Sequence, residues 1–115
     1  MLSVPANIAI YLHTTPTDMR KGVDGLSGII RGEFKSDPLD GSLYLFVNRR
    51  GNRLKILHWD GCGFWVYYRV LERGTFEVPR SDERRVVIDA TQLAMILGGV
   101  CLAGVKRRKR YARAS

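Results

Sequence analysis

Between Leu43 and Glu72, three runs rich in apolar, aromatic and β-branched residues follow one another almost without pause. Leu43–Asn48 is joined to Arg53–Trp59 by Arg49-Arg50-Gly51-Asn52, and Phe64–Glu72 follows Asp60-Gly61-Cys62-Gly63. Connections this short admit only antiparallel neighbours, because a parallel return needs a crossover of about a dozen residues or more. A glycine in each turn, set between strand-forming runs, is the mark of a hairpin. Residues 43–72 therefore read as an antiparallel β-meander, and the rest of the chain must pack on that sheet.

Upstream, Ile8, Ile10 and Leu12 alternate with Ala9, Tyr11 and His13, which predicts a strand with one apolar face. Pro16 ends it, and Thr17 or Asp18 is placed to cap a helix in which Val23, Leu26, Ile29, Ile30 and Phe34 recur at helical spacing. Residues 36–42 are a loop by composition. Downstream, Thr75–Val78 reads as a short strand stopped by Pro79, and Val86-Val87-Ile88 as the last strand. Asp89 and Gln92 form a capping box for a buried C-terminal helix that should end near Gly98-Gly99. The uncharged run Leu93–Val105 is too short to cross about 30 Å of hydrocarbon, so no membrane is expected as a partner. At 115 residues and 45% hydrophobic content, the chain can bury one modest core. The expected architecture is α+β: a single domain over residues 1–105, an antiparallel sheet with two helices packed on one face, and a basic disordered tail over 106–115.

Charge sharpens the functional reading. Nineteen basic residues against eleven acidic ones give a net charge of +8, and residues 86–115 hold six basic residues and one acidic one. Lys106, Arg107, Arg108, Lys109 and Arg110 are adjacent, repel one another and favour a polyanionic partner. Arg49, Arg50, Arg53 and Lys55 fall on or beside one hairpin. If Leu54 and Ile56 pack beneath the helices, Arg53 and Lys55 face away from them. Arg20 and Lys21 stand at the front of the first helix, where free backbone donors also favour phosphate. Trp59, Trp65, Tyr67 and Tyr68 on the adjoining strands serve either as core or as rings on which unpaired bases stack.

Catalytic and metal chemistry find less support. Among the acidic residues, Asp18 suits a helix cap, Asp60 a turn, and Glu72 a strand end beside Arg69 and Arg73. His13 and His58 lie on strands among apolar neighbours; His58 and Cys62 lack the spacing of a metal site. Gly22-Val23-Asp24-Gly25 lacks the Gly-Lys-Ser/Thr ending of a phosphate loop. Neither a metal nor another cofactor is expected. Two cysteines without CxxC spacing, and an opening without a signal-peptide pattern, place the chain in a reducing cytoplasm.

Several spaced motifs in order carry a resemblance. Asp18-Met19-Arg20-Lys21-Gly22 with Asp24-Gly25-Leu26 resembles the opening signature of the accessory proteins of the insertion sequence 66 family, often called TnpB. Leu45-Phe46, Asn48-Arg49-Arg50, Arg53-Leu54-Lys55-Ile56-Leu57, Trp59-Asp60-Gly61 and Gly63-Phe64 continue it. Leu71-Glu72-Arg73-Gly74, Phe76, Pro79 and Gln92-Leu93 complete it, so the resemblance covers about residues 8–98. Two departures stand out: Arg69-Val70 replaces a Lys-Arg pair, leaving that strand with one charge fewer for phosphate, and Val78 replaces a tryptophan. The resemblance implies a bacterial accessory protein for DNA transposition, encoded beside a separate transposase that cuts and joins DNA; that it is non-catalytic is the expectation from its acidic residues, each of which suits a local structural role. DNA, from the basic charge, and that transposase are the expected partners, with a place at the nucleoid if DNA is bound. Direct DNA binding and an adaptor role that organises the transposase complex both fit the sequence; a small metal-dependent nuclease fits less well.

Overall fold

The computed structural model describes residues 7–107, with side chains through residue 98. Five strands form one sheet: β1 (Ile10–His13), β2 (Leu43–Val47), β3 (Arg53–Trp59), β4 (Phe64–Val70) and β5 (Arg85–Ile88), in the order β4-β3-β2-β1-β5. The helices are α1 (Val23–Ile29), extended by a π-helical turn over Ile30–Phe34, and α2 (Ala90–Arg107). The α+β class and the β2–β3–β4 meander are as expected. Val47 faces Leu54 across the first hairpin, and Trp59 faces Phe64 across the second.

Two features of the sheet correct the sequence reading. It is mixed, because β1 pairs parallel to β2, with Ile10 opposite Leu43 and Leu12 opposite Leu45. The segment carrying α1 is long enough to serve as the crossover that such a pair requires. The helices also lie on opposite faces rather than one. Leu26, Ile30 and Phe34 of the first helical segment cover Tyr44, Phe46 and Leu57. Leu93 and Ile96 of α2 cover Leu12, Leu45, Leu54 and Ile56 on the other side, joined by Leu71 and Phe76. Central β2, Leu-Tyr-Leu-Phe-Val, is consequently buried on both faces throughout its length.

Helix boundaries differ too. Neither Thr17 nor Asp18 caps α1; Gly22 precedes its first residue, and no side chain caps it. Thr17 is instead buried, with its hydroxyl 3.2 Å from His13 Nδ1, while His13 Nε2 donates to Glu33 at 2.8 Å. That hydrogen bond holds the Glu33 carboxyl below its ordinary pKa. The far end of the segment closes through Lys35 in the left-handed region, and Arg85 donates to the Phe34 carbonyl at 2.8 Å. The Asp89–Gln92 capping box forms reciprocally, at 2.9 and 2.7 Å. α2 then continues past Gly98-Gly99 and through Lys106 and Arg107, beyond the expected end of the folded domain. Two glycines cost roughly 1 kcal/mol each against alanine, which an established hydrogen-bond ladder tolerates. Thr75–Val78 is not a strand; Phe76 docks singly, its N–H donating to the Gly51 carbonyl at 2.8 Å. The remainder of the expected tail, from Arg108 onward, lies outside the described residues.

Candidate nucleic-acid interface

The β2–β3 turn presents its arginines from a braced backbone. Asn48 Oδ1 accepts the Arg53 N–H at 3.0 Å, and Asn48 Nδ2 donates to Asn52 Oδ1 at 2.9 Å. Gly51 takes φ of 77°, a region costly for other residues, and its N–H returns to the Asn48 carbonyl at 3.0 Å. The Leu71 N–H ties the turn from the other side through the Asn52 carbonyl at 2.8 Å. Arg49, Arg50 and Arg53 are exposed on this frame.

A second wall comes from the loop between β1 and α1. Thr17 N–H donates to the Val47 carbonyl at 2.9 Å, which folds the loop over the end of β2. Asp18 accepts the Arg20 N–H at 2.9 Å and grips its guanidinium through Nε at 3.1 Å and Nη2 at 2.7 Å. Those hydrogen bonds lower the Asp18 pKa to about 2, so the pair is ionised at any ordinary pH. Lys55 anchors the same loop from below, donating to the carbonyls of Met19 at 2.8 Å and Lys21 at 2.9 Å.

Between the walls lies a groove of about 580 Å³, lined by Arg20, Arg49, Arg50 and Arg53 together with Asp18 and Tyr68. The Tyr68 hydroxyl accepts from Arg53 Nη1 at 2.7 Å. Four arginines and one carboxylate thus line the groove, and with Arg20 paired to Asp18 the excess is three positive charges, suited to a phosphate-bearing or otherwise polyanionic ligand. The structure brings together four of the residues singled out from the sequence. Lys21 is exposed beside the groove without lining it. Lys55 departs from expectation: only 9% exposed, it serves the backbone of the groove rather than its surface. The physical reason is the loop ahead of α1, whose Met19 and Lys21 carbonyls lie over the face that the sequence reading left to solvent. Lys106 and Arg107 are in α2 beyond the described side chains, and Arg108, Lys109 and Arg110 lie outside the described residues. The part played by Asp18 was not read from the sequence; its spacing of two from Arg20 was the available signal.

The aromatics divide. Tyr67 packs against the α2-side core and Trp59 sits edge-on to Phe64, whereas Tyr68 and Trp65 are exposed. Trp65 Nε1 donates to Asp60 at 2.7 Å; the Cys62 and Gly63 N–H groups, foremost among its contacts, hold the Asp60 pKa low. A second hollow near His58 has its acidic groups engaged, Asp60 in this turn and Asp40 with the Tyr44 hydroxyl at 2.8 Å. Among the described residues, no three His, Cys, Asp or Glu side chains converge as metal ligands, and no helix is long and apolar enough to cross a membrane.

The comparisons with known proteins agree with the sequence motifs. The chain is 34% identical over 100 residues to the uncharacterized protein y4hO of Sinorhizobium fredii, covering 87% of each. It is 27% identical over 108 residues to the uncharacterized protein y4jC of the same organism, covering 94% of this chain and 92% of that one. No solved structure matches it significantly. The family model described as IS66 Orf2 like protein matches residues 8–107, which spans the whole sheet, both helices and both walls of the groove, and the chain accordingly belongs to the IS66 Orf2-like family of insertion-sequence accessory proteins.

Proposed function

We propose that this chain assists transposition of its insertion sequence without cutting DNA itself, by holding DNA in the groove between Arg20 and the Arg49–Arg53 turn. The observation that carries the reading is the convergence of four arginines from two separate segments on one open groove. Phosphate contacts of this kind position a protein on DNA without reading sequence. An adaptor contact to the transposase is the second reading, favoured by Trp65, which is 65% exposed on β4 beside the β3–β4 turn.

Binding of the pure chain to duplex DNA from the element's ends, measured by fluorescence anisotropy across salt concentrations, tests the first reading. The variant with Arg49→Ala, Arg50→Ala and Arg53→Ala should keep its stability within about 1 kcal/mol, since these side chains are exposed. Its log–log salt slope should flatten by about 2 to 3. No cleavage should appear with Mg²⁺ or Mn²⁺. Unaltered affinity in the triple variant would remove the groove from DNA binding, and co-purification of wild-type chain with the transposase after nuclease treatment would then favour the adaptor.

A further inference from the structure

β4 is an edge strand, and the side of it that shares a face with the groove is uncovered among the described residues. Val66, Tyr68 and Val70 alternate along β4, so they point the same way, opposite Leu57, Lys55 and Arg53 of β3. All three are exposed, at 37%, 44% and 46%. They make an apolar stripe about 13 Å long that runs out from the arginines, with Tyr68 belonging to both. The Tyr68 ring is already fixed: Arg53 holds its hydroxyl, and Lys55 Nζ stands 4.8 Å from the ring centroid.

We infer that this combined surface takes unpaired, single-stranded DNA in preference to duplex, an inference that rests on the DNA-binding reading above and specifies its ligand. A duplex presents phosphates outward and hides the faces of its bases, so it would satisfy the arginines and leave the stripe in water. An unpaired strand offers both parts at once: phosphates for Arg49, Arg50 and Arg53, and base faces for Tyr68 and its valine neighbours. A ring held in place beforehand loses little freedom on binding. Val70, 46% exposed opposite Arg53, carries the apolar stripe to the edge of the groove. Arginine contacts to phosphate carry no base information, so sequence preference should be weak. DNA rather than RNA is assigned because the family serves a DNA element, and net charge +8 disfavours a second copy of the chain on this face.

The test is anisotropy of the full chain with a labelled mixed-sequence DNA strand, the same strand as duplex, and its RNA counterpart, all at one salt concentration. The DNA strand should bind about tenfold tighter than the duplex or more. Tyr68→Ala should abolish that preference, and Tyr68→Phe should retain it. Equal or tighter duplex binding by the wild-type chain overturns this inference and leaves the DNA-binding reading standing. No binding to either form overturns both. An RNA strand bound as tightly as DNA overturns the assignment to DNA. Loss of transposase capture in Tyr68→Ala, with DNA binding intact, hands the stripe to a protein partner.

Discussion

Lys55 brings an ammonium group into the α1 face of the sheet, between the hydrophobic side chain of Phe46 and the ring of Tyr68. Burial opposes a charge, and two carbonyl acceptors on the Met19–Lys21 segment offset that penalty. The side chain therefore fastens the loop that carries Arg20 to the strand that carries Arg53. Lys55→Met keeps much of the stem's packing and removes both hydrogen bonds. It should lower stability by about 1–2 kcal/mol, read from urea or thermal melts, because the carbonyls it leaves are only partly able to rehydrate. The same variant should weaken DNA binding although Lys55 does not line the groove. An unchanged melt would show that the loop holds itself. Strand alternation placed Lys55 correctly on the side opposite Leu54 and Ile56. What alternation cannot report is whether that side is wet, since this depends on the Met19–Lys21 loop, which comes from more than thirty residues earlier in the chain. Asp18 was misread for a related reason: a carboxylate ahead of a helix suits a cap, but Arg20 lies nearer and claims it.

The meander was legible because two glycine turns leave its strands no other partners. The rest of the sheet was less so, although one element announced it. β2 reads Leu-Tyr-Leu-Phe-Val with no polar alternation, the signature of a strand covered on both faces, and it sits at the middle of the sheet with a helix above and below. A strand, a helix and then a strand also predict a parallel crossover, and the β1–α1–β2 order is that pattern. Local capping chemistry was the other legible part. Asp89 accepts the Gln92 N–H while the Gln92 side chain accepts the Asp89 N–H, and the Leu93 N–H reaches the Asp89 carbonyl at 2.9 Å. The box fixes the phase of α2 so that Leu93 and Ile96 face the sheet, with exposed Met95 turned away. Asp89→Ala should cost about 1 kcal/mol in a thermal or urea melt, and Asp89→Asn should recover most of it. A loss far above that would mean Asp89 supports more than the helix start. Where the helix stops was not legible from its glycine pair, because glycine lowers helix propensity without forbidding it.

Across the chain as a whole, charge is distributed by sequence position and then gathered by the fold. Residues 1–45 are close to balanced, and the excess lies in the hairpin region and the final thirty residues. The hairpin arginines were visible as a basic run. Their union with Arg20 was not, because it requires the Thr17–Val47 hydrogen bond to fold the β1–α1 loop over the end of β2. The fold thus yields a compact basic groove, while Arg108, Lys109, Arg110 and Arg113 supply a second basic stretch near the C-terminus in the sequence. The two should contribute differently to DNA binding. Counterion release scales with the phosphates neutralised, at about 0.9 in log–log slope per contact on duplex DNA. Truncation after Arg107 removes four positive charges and should flatten the duplex slope by about 3 to 4, with the melt and the single-strand preference of the groove both preserved. The arginine triple variant should flatten the slope separately, and the combined variant should approach the sum of the two, as expected of sites that share no partners. An unchanged slope after truncation would assign DNA binding to the groove alone. A preserved slope in the triple variant, with loss only on truncation, would make the C-terminal charges the binding element and leave the groove to a different anion.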